Sequence, residues 1–390
     1  MTQKLGTGIR RLFFSTLAAS CLLTGSAWAQ RRGLELPALN QSCATAMQKN
    51  EAQTALRVCG QAATLATDGS KATPEAQLQA YDNLGELQLV LGQNTQAESN
   101  YRLGLALRER TYGKDSAEVA QSLEAVGNAL MRGGKHVEAK EFFDRSLAIR
   151  LQKYGLQSKE AANSMHSIGL VAMATHKPDE AEEYFRRALA IREKVLAPSD
   201  PLVGRTLSNV GVAVEARRGP AEAGAIYRRA LQLQEAVLGT DDVSLTDTVE
   251  SLARVSGATG KLQDAEIYWR RSLTIRERAQ GVDHPEVATV LNEMGLLFVG
   301  AKAYPAGEEM FRRALAIRQK AFGSNDLQVA EVTNNLGALL YTQGRSAEAL
   351  PLLQHAASIT YVALGADNAV TKARWNNLQR VMDSAARTTR

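Results

Sequence analysis

A period of 42 residues runs through most of this chain and constrains its fold more than any other feature. Four columns of residues recur at this step, in seven copies and without an insertion. Small residues recur at Gly85, Gly127, Gly169, Gly211, Ala253, Gly295 and Gly337, and again at Ala97, Ala139, Ala181, Ala223, Ala265, Gly307 and Ala349. Large residues recur at Tyr101, Phe143, Phe185, Tyr227, Trp269, Phe311 and Leu353, and loop residues at Gly113, Gly155, Ala197, Gly239, Gly281, Gly323 and Gly365. The chain is therefore a tandem array.

Each repeat is predicted to form two helices. Apolar residues follow one another at three- and four-residue spacing in residues 77–91 and again in residues 182–196. Glycines such as Gly134 and Gly260 predict the tight turn between the helices, and no stretch has the period-two alternation of a strand. Small residues allow the paired helices to approach closely, and the large residues are expected to fill the space between neighbouring repeats. The predicted fold class is all-α, with repeats that bury their apolar faces against one another.

Residues 168–169 (Ile-Gly) and 180–194 (Glu-Ala-Glu-Glu-Tyr-Phe-Arg-Arg-Ala-Leu-Ala-Ile-Arg-Glu-Lys) resemble a tetratricopeptide repeat. The commonest repeat of that family has 34 residues. The longer repeat, and residues 283–288 (Asp-His-Pro-Glu-Val-Ala), are similar to the kinesin-light-chain-like subfamily. The resemblance covers residues 78–385. It implies a right-handed superhelical α-solenoid of antiparallel helix pairs that serves as a binding scaffold, and it does not specify one ligand.

Residues 1–29 have the three-part composition of a secretory signal peptide. Lys4, Arg10 and Arg11 precede an apolar stretch at 12–23, and Ala29 ends a small-residue segment suited to cleavage. That stretch is too short to cross a bilayer core of about 30 Å, so we expect no stable membrane span after cleavage. A retained anchor, a twin-arginine signal and lipidation at Cys21 are the alternatives. The signal predicts an exported protein, most simply a periplasmic one.

Composition and charge exclude several other classes. Hydrophobic residues make up 45% of the 390 residues, so disorder of the whole chain is excluded, and a mean hydropathy of −0.23 excludes a protein with many membrane spans. The formal charge of +5 falls when the signal peptide is removed, because 43 basic residues then face 41 acidic ones. The remaining charges are spread along the repeats, so nucleic acid is not an expected partner.

The two cysteines outside the signal peptide fall in phase with the repeats. Counting 42 residues back from Gly85 and Tyr101 reaches Cys43 and Cys59. Residues 30–74 are therefore expected to form a degenerate N-terminal hairpin with these side chains facing each other, and an oxidising compartment favours a disulfide. Two buried free thiols are the alternative. Seven repeats follow at 75–371, and residues 372–390 are expected to form a capping helix, to about residue 384, and a tail.

The sequence offers no candidate catalytic, cofactor or metal site. Five histidines lack the His-Glu-x-x-His spacing of a zinc site, and no Gly-x-Ser-x-Gly or Gly-Lys-Ser/Thr segment occurs. We therefore expect a protein that is not an enzyme and that needs no cofactor.

The resemblance implies that a groove on the first helices binds partners. Two residues before each position of the glycine column stand Asn83, Ala125, Ser167, Asn209, Ser251, Glu293, Asn335 and Asn377. In the tetratricopeptide family, asparagines in this column commonly bind the backbone of an extended peptide, which implies this role for Asn83, Asn209 and Asn335. A carboxamide suits it because it both donates and accepts hydrogen bonds. Neighbouring candidates are Asn128, Arg254, Asn292, Asn334 and Tyr341, and each can instead be an ordinary solvated side chain.

Arginines are concentrated on the second helices. One column holds Arg186, Arg228, Arg270 and Arg312, and another holds Arg150, Arg192, Arg276 and Arg318. Both are interleaved with glutamates, so we expect an outer face of mixed charge. The groove lining is instead mostly amide and acidic, which disfavours a clamp for a C-terminal carboxylate.

The function predicted from the sequence is a non-catalytic scaffold of the bacterial cell envelope that binds peptide segments or partner proteins in its groove. A self-assembling structural protein and an accessory subunit of an envelope enzyme or secretion complex are the alternatives. Homo-oligomerisation is left open, and the partner's identity is unknown.

Overall fold

Helices account for all the regular secondary structure that is described. The computed structural model describes residues 25–68, 72–197 and 199–388, and in these ranges there are seventeen α-helices and one 3₁₀ turn. The prediction of an all-α chain built from helix pairs is confirmed.

The chain divides into two units, residues 1–177 and 178–390. The helices of unit 1 are α1 (Gly25–Gln48), α2 (Ala52–Thr67), α3 (Pro74–Val90), α4 (Asn94–Tyr112), α5 (Ala117–Arg132), α6 (His136–Tyr154) and α7 (Lys159–Ala174). The helices of unit 2 are α8 (Pro178–Val195), α9 (Pro201–Arg218), α10 (Pro220–Leu238), α11 (Thr246–Ala258), α12 (Leu262–Gln280), α13 (Pro285–Gly300), α14 (Tyr304–Phe322), α15 (Leu327–Thr342), α16 (Ser346–Leu364) and α17 (Ala369–Thr388).

The ends of the helices follow from local residues. Several first helices begin after a side chain that accepts a backbone N–H of the first turn: the Oγ of Ser116 accepts from Val119, and a carboxylate oxygen of Asp200 accepts from Leu202. Many second helices end at a glycine with positive φ, as at Gly155, where φ is 77°. The glycine caps recur with the repeat, and most second helices have 19 residues.

The glycine column lets each helix pair close tightly. A Cβ added to Gly127 would lie 2.5 Å from the ring of Phe143, so the ring occupies the space that the missing side chain leaves. The large residue also faces the next repeat, since Trp269 shares a buried cluster with Val290 and Met294 of α13. The large column therefore fills a gap inside its own helix pair as well as the predicted gap between repeats.

The N-terminal hairpin replaces this contact with cysteines. Cys43 in α1 and Cys59 in α2 are fully buried, their Sγ atoms lie 2.00 Å apart and their Cα atoms 5.0 Å apart. The structure thus brings the two cysteines of residues 30–74 into direct contact across the hairpin.

The two ends differ in detail from the sequence analysis. Residues 1–24 of the predicted signal peptide lie outside the described residues, and α1 starts at Gly25 and runs through the predicted cleavage position after Ala29. The terminal helix α17 begins at Ala369, before the predicted boundary at 372, and continues to Thr388, beyond the expected end near residue 384. None of the helices in the described part of the chain is long and apolar enough to cross a membrane.

Candidate functional site

The column of Arg150, Arg192, Arg276 and Arg318 is largely buried, which corrects the expected outer face for these residues. The column of Arg186, Arg228, Arg270 and Arg312 is exposed, as expected. Arg192 is 1% exposed, Arg276 7% and Arg318 4%. In unit 1, Arg150 Nη1 in α6 donates to Glu124 Oε1 in α5 at 3.0 Å, and across the repeat boundary to the carbonyl of Glu160 at 3.1 Å and to Ser164 Oγ at 2.9 Å. The guanidinium of Arg150 therefore joins the first helices of two successive repeats.

The same arrangement recurs in unit 2. Arg318 Nη1 donates to the carbonyl of Gln328 at 2.8 Å and to Glu331 Oε2 at 2.7 Å, both in α15. Burial disfavours the charged form of Arg276, but the hydrogen bond from its Nε to Glu250, together with the negative charges of Glu250, Glu286 and Asp247, outweighs this, and its pKa is raised. The recurrence of these arginines every 42 residues is the sequence feature that could have indicated their packing against the first helix of the next repeat.

In unit 2, asparagines of the groove column bond to neighbouring candidates of the preceding repeat. Asn335 Nδ2 in α15 donates to Asn292 Oδ1 in α13 at 3.0 Å, and Asn377 Nδ2 in α17 donates to Asn334 Oδ1 in α15 at 3.1 Å. Asn292 is only 1% exposed, so, unlike the prediction, it supports Asn335 and does not face a ligand. These pairs align successive first helices.

The other candidates in unit 2 occupy different environments. Asn209 is half-buried in α9, and Tyr341 is half-buried with its hydroxyl 3.5 Å from the carbonyl of Arg380. Arg254 forms an ion pair with Glu215, whose second oxygen accepts from the hydroxyl of Tyr227 at 2.9 Å. Arg254 is thus already engaged within the protein.

Glu293 stands in the same column and is half-buried beside the asparagine pairs. Burial raises the pKa of its carboxyl group, while the hydrogen bond from Asn292 Nδ2, at 3.4 Å, partly opposes this rise. The groove of unit 2 therefore holds a carboxylate at an energetic cost.

Asn83 in unit 1 lies at an open cavity of about 500 Å³. The cavity lies between the α1–α2 turn and α3, and its apolar wall includes Met47, Leu87 and Val90. The Nδ2 atom of Asn83 is buried and has no hydrogen-bond partner among the described residues, and Val90 is 75% exposed. Of the predicted groove asparagines, Asn83 alone combines a cavity of this kind with an unsatisfied donor in the described structure.

Two glutamates stand at this cavity. Glu51 precedes α2 and Glu86 lies one turn after Asn83 in α3; both are exposed. Asn128, the remaining candidate of unit 1, is exposed in α5 and does not line the cavity. Met47, Leu87 and Val90 were not predicted as site residues, because apolar residues on a helix are expected to be buried against another helix.

Over the described ranges, no group of three or more His, Cys, Asp or Glu side chains is arranged to hold a metal ion.

Several solved structures are similar to this chain. The quorum sensor NprR of B. thuringiensis in its apo form is 14% identical, with a TM-score of 0.63, over 88% of this chain and 90% of that chain. A Rap conjugation gene regulator of the plasmid pLS20, in complex with the Phr* peptide, is 13% identical, with a TM-score of 0.54, over 86% of this chain and 99% of that chain. BtubC (BKLC) of P. vanneervenii is 22% identical, with a TM-score of 0.48, over 63% and 93%.

No curated protein sequence matches the chain. Family models do match it. A model described as "Tetratricopeptide repeat" matches residues 76–152, 160–236 and 300–360, which together exceed half of the chain, and a second model of the same description matches 246–286. With the helix pairs and repeating contacts described above, these matches show that the chain belongs to the tetratricopeptide repeat family.

Proposed function

We propose that this protein is a non-catalytic scaffold that binds an extended segment of a partner protein, with the cavity at Asn83 as its anchor point. The observation that carries the proposal is the buried Nδ2 of Asn83, which has no partner among the described residues and borders an apolar cavity of about 500 Å³. An unsatisfied buried donor is costly, and a peptide carbonyl would satisfy it.

The lining predicts the chemistry of the bound segment. Met47, Leu87 and Val90 favour an apolar side chain in the cavity, since its burial removes apolar surface on both sides from water. Glu51 and Glu86 favour a basic residue next to it. The expected ligand is therefore an extended segment in which an apolar residue is flanked by a basic one.

We infer that the protein works in the cell envelope, most simply in the periplasm. The support is the composition of residues 1–29, with a basic start, a short apolar stretch and Ala29 before the expected cleavage. A position in the envelope also suits the paired cysteines Cys43 and Cys59.

Crosslinking tests the binding site directly. A photo-reactive amino acid at the exposed position Val90 should capture a partner in the protein's own cells, and Asn83→Ala should lower the captured amount about fivefold or more, because the peptide carbonyl loses its donor. The captured segment is identified by mass spectrometry.

Asn128→Ala is the matched control. It makes the same chemical change at an exposed asparagine of the next repeat, outside the cavity, so capture should not change. Equal capture by the wild type and Asn83→Ala, with both correctly folded by circular dichroism, would overturn the proposal.

A further inference from the structure

Within unit 2 the arginine column is interrupted at Gln234 and ends after Arg318, where the next position is Thr360. Arg192, Arg276 and Arg318 keep the 42-residue step, but the position between Arg192 and Arg276 is Gln234 in α10. Glutamine is shorter than arginine and carries no charge. The fourth repeat therefore lacks the guanidinium that its neighbours place between two first helices.

A cavity of about 440 Å³ lies where that guanidinium is missing. α9, α10, the 3₁₀ turn Val243–Leu245 and α11 form its walls. The lining residues are Pro201, Leu202, Arg205, Ser208, Asn209, Gln234, Leu238, Ser244, Asp247 and Thr248. This cavity lies in unit 2 and is separate from the one at Asn83.

Gln234 lines this cavity with an unsatisfied acceptor. The residue is 6% exposed, and its Oε1 atom is buried without a hydrogen-bond partner among the described residues. The Cγ of Gln234 lies only 2.7 Å from the position that a Cβ on Gly204 would take, so the glutamine side chain packs directly over Gly204. A buried acceptor of this kind favours a ligand that donates hydrogen bonds.

Other repeats of the chain show which donor fits. Arg150 bonds to the carbonyl ten residues ahead, at Glu160, and to the hydroxyl fourteen ahead, at Ser164. Arg318 bonds to the carbonyl ten ahead, at Gln328, and to the carboxylate thirteen ahead, at Glu331. Each of these groups accepts a hydrogen bond from a guanidinium.

The corresponding residues are all present beside Gln234. Ten, thirteen and fourteen residues ahead stand Ser244, Asp247 and Thr248, and all three line the cavity. The hydroxyls of Thr248 and Ser208 are 3.0 Å apart and bonded to each other, which leaves them able to accept further bonds. The carboxylate of Asp247 also forms an ion pair with Arg276, at 3.8 Å, so this group already accepts one guanidinium. Residues that can accept hydrogen bonds are thus retained at these positions although the arginine is absent.

We propose that this cavity binds an arginine side chain of a partner protein. The planar guanidinium has five N–H donors, which match the acceptors of Gln234, Ser244, Asp247 and Thr248. The partner's arginine would occupy the position that Arg276 and Arg318 occupy in the following repeats. This inference goes beyond the peptide site at Asn83, because it concerns another cavity in another unit and a different side chain.

Arg205 opposes the binding of an arginine side chain, so its removal should strengthen that binding. It is exposed, lines the cavity and has no ion-pair partner among the described residues. Its positive charge repels a guanidinium and would instead attract a carboxylate. The effect of removing Arg205 therefore separates a site for arginine from a site for an anion.

Calorimetric titration of the full-length mature protein with Nα-acetyl-arginine amide tests the proposal. We expect one binding site in unit 2 and about tenfold weaker binding of the corresponding lysine derivative, because an ammonium cannot reproduce the forked donors. Gln234→Arg should abolish binding by filling the cavity from within. Gln234→Met, which keeps the volume and removes the acceptor, should weaken binding about fivefold.

Arg205→Ala should tighten arginine binding several-fold, and Asn83→Ala should leave it unchanged. The proposal fails if the wild type binds no arginine derivative up to about 10 mM, if Gln234→Arg binds as well as the wild type, or if the site takes acetate and loses it in Arg205→Ala. Failure of this titration leaves the crosslinking result at Val90 unaffected, so the two proposals are judged separately.

Discussion

Asparagines that share one sequence pattern do different jobs in this protein. The Nδ2 donor of Asn83 is unsatisfied at a cavity, whereas the Nδ2 of Asn335 donates to Oδ1 of the buried Asn292. The repeat period predicts correctly that these residues lie on first helices. The period cannot predict which carboxamide bonds to another, because these bonds join residues 43 positions apart. The residue at that distance differs between repeats: it is Asn292 for Asn335 and Glu124 for Ser167.

Glu293 gives a prediction at this scale. Burial raises the pKa of its carboxyl group in the folded protein, so the unfolded chain loses this proton at lower pH than the folded one. The contribution of Glu293 to the free energy of unfolding is therefore fully present below the pKa of the unfolded state, near 4.3. It is lost as the pH rises through the pKa of the folded state. Glu293→Gln should melt a few degrees above the wild type at pH 7, with the difference vanishing near pH 4.

Melting temperatures followed by circular dichroism between pH 4 and 7 measure this difference. Glu183→Gln is the control, because Glu183 is 58% exposed and its ion pair with Arg187 is on the surface. A Glu293→Gln variant that is less stable than the wild type at pH 7 would contradict the assigned direction of the pKa.

Successive helix pairs are joined by buried guanidinium groups, and this could be predicted only in part. The column of Arg150, Arg276 and Arg318 is visible in the sequence, but an arginine on a helix is more often solvated than buried. Its burial depends on the first helix of the next repeat, which brings a carbonyl and polar side chains to the guanidinium. Helical periodicity within one element carries no information about that neighbour.

Removing one of these groups should be costly. Arg150→Ala leaves Glu124 without its cation at a site where both side chains are largely buried, 12% and 13% exposed. We expect a loss of about 3 kcal/mol in the free energy of unfolding of unit 1. Urea denaturation measures the loss, and hydrogen exchange should increase most in the first turn of α7, where the bonds to Glu160 and Ser164 are lost.

Arg187→Ala provides the comparison within the same protein. Arg187 and Glu183 are 59% and 58% exposed, so this change should shift stability by less than about 0.5 kcal/mol. Similar losses in the two variants would show that the buried column contributes no more than a surface pair.

The described chain is a tandem array of helix pairs whose first hairpin brings Cys43 and Cys59 together. The 42-residue period predicted the array, the facing positions of the two cysteines and a terminal helix, because each depends on phase, whereas oxidation of the cysteines was predicted from the expected export. The two cavities were not predictable, since each arises where a repeat departs from the pattern: at the N-terminal hairpin and at Gln234.

The expected export and the expected disulfide can be tested on the same protein sample. Protein recovered from the periplasm should begin at Gln30, and Cys43 and Cys59 should resist alkylation until a reductant is added. Their sequence separation of 16 corresponds to about 3 kcal/mol in the chain-entropy model, so reduction should melt the N-terminal hairpin before the remaining repeats. Mass spectrometry and calorimetry measure these outcomes, and two thiols that react without reductant would contradict the disulfide.

The ring that covers a glycine in several helix pairs has a consequence for how such a chain can change. Gly127 and Phe143 lie in one repeat, as do Gly295 and Phe311, so a gene segment encoding 42 residues carries both partners of the contact. A change in a neighbouring repeat therefore leaves the hairpin closed. The arginine bridges and asparagine pairs instead cross from one repeat to the next, so they depend on the residues of two repeats. At Gln234 the bridging arginine is absent, while the ring of Tyr227 still covers Gly211 in the same repeat.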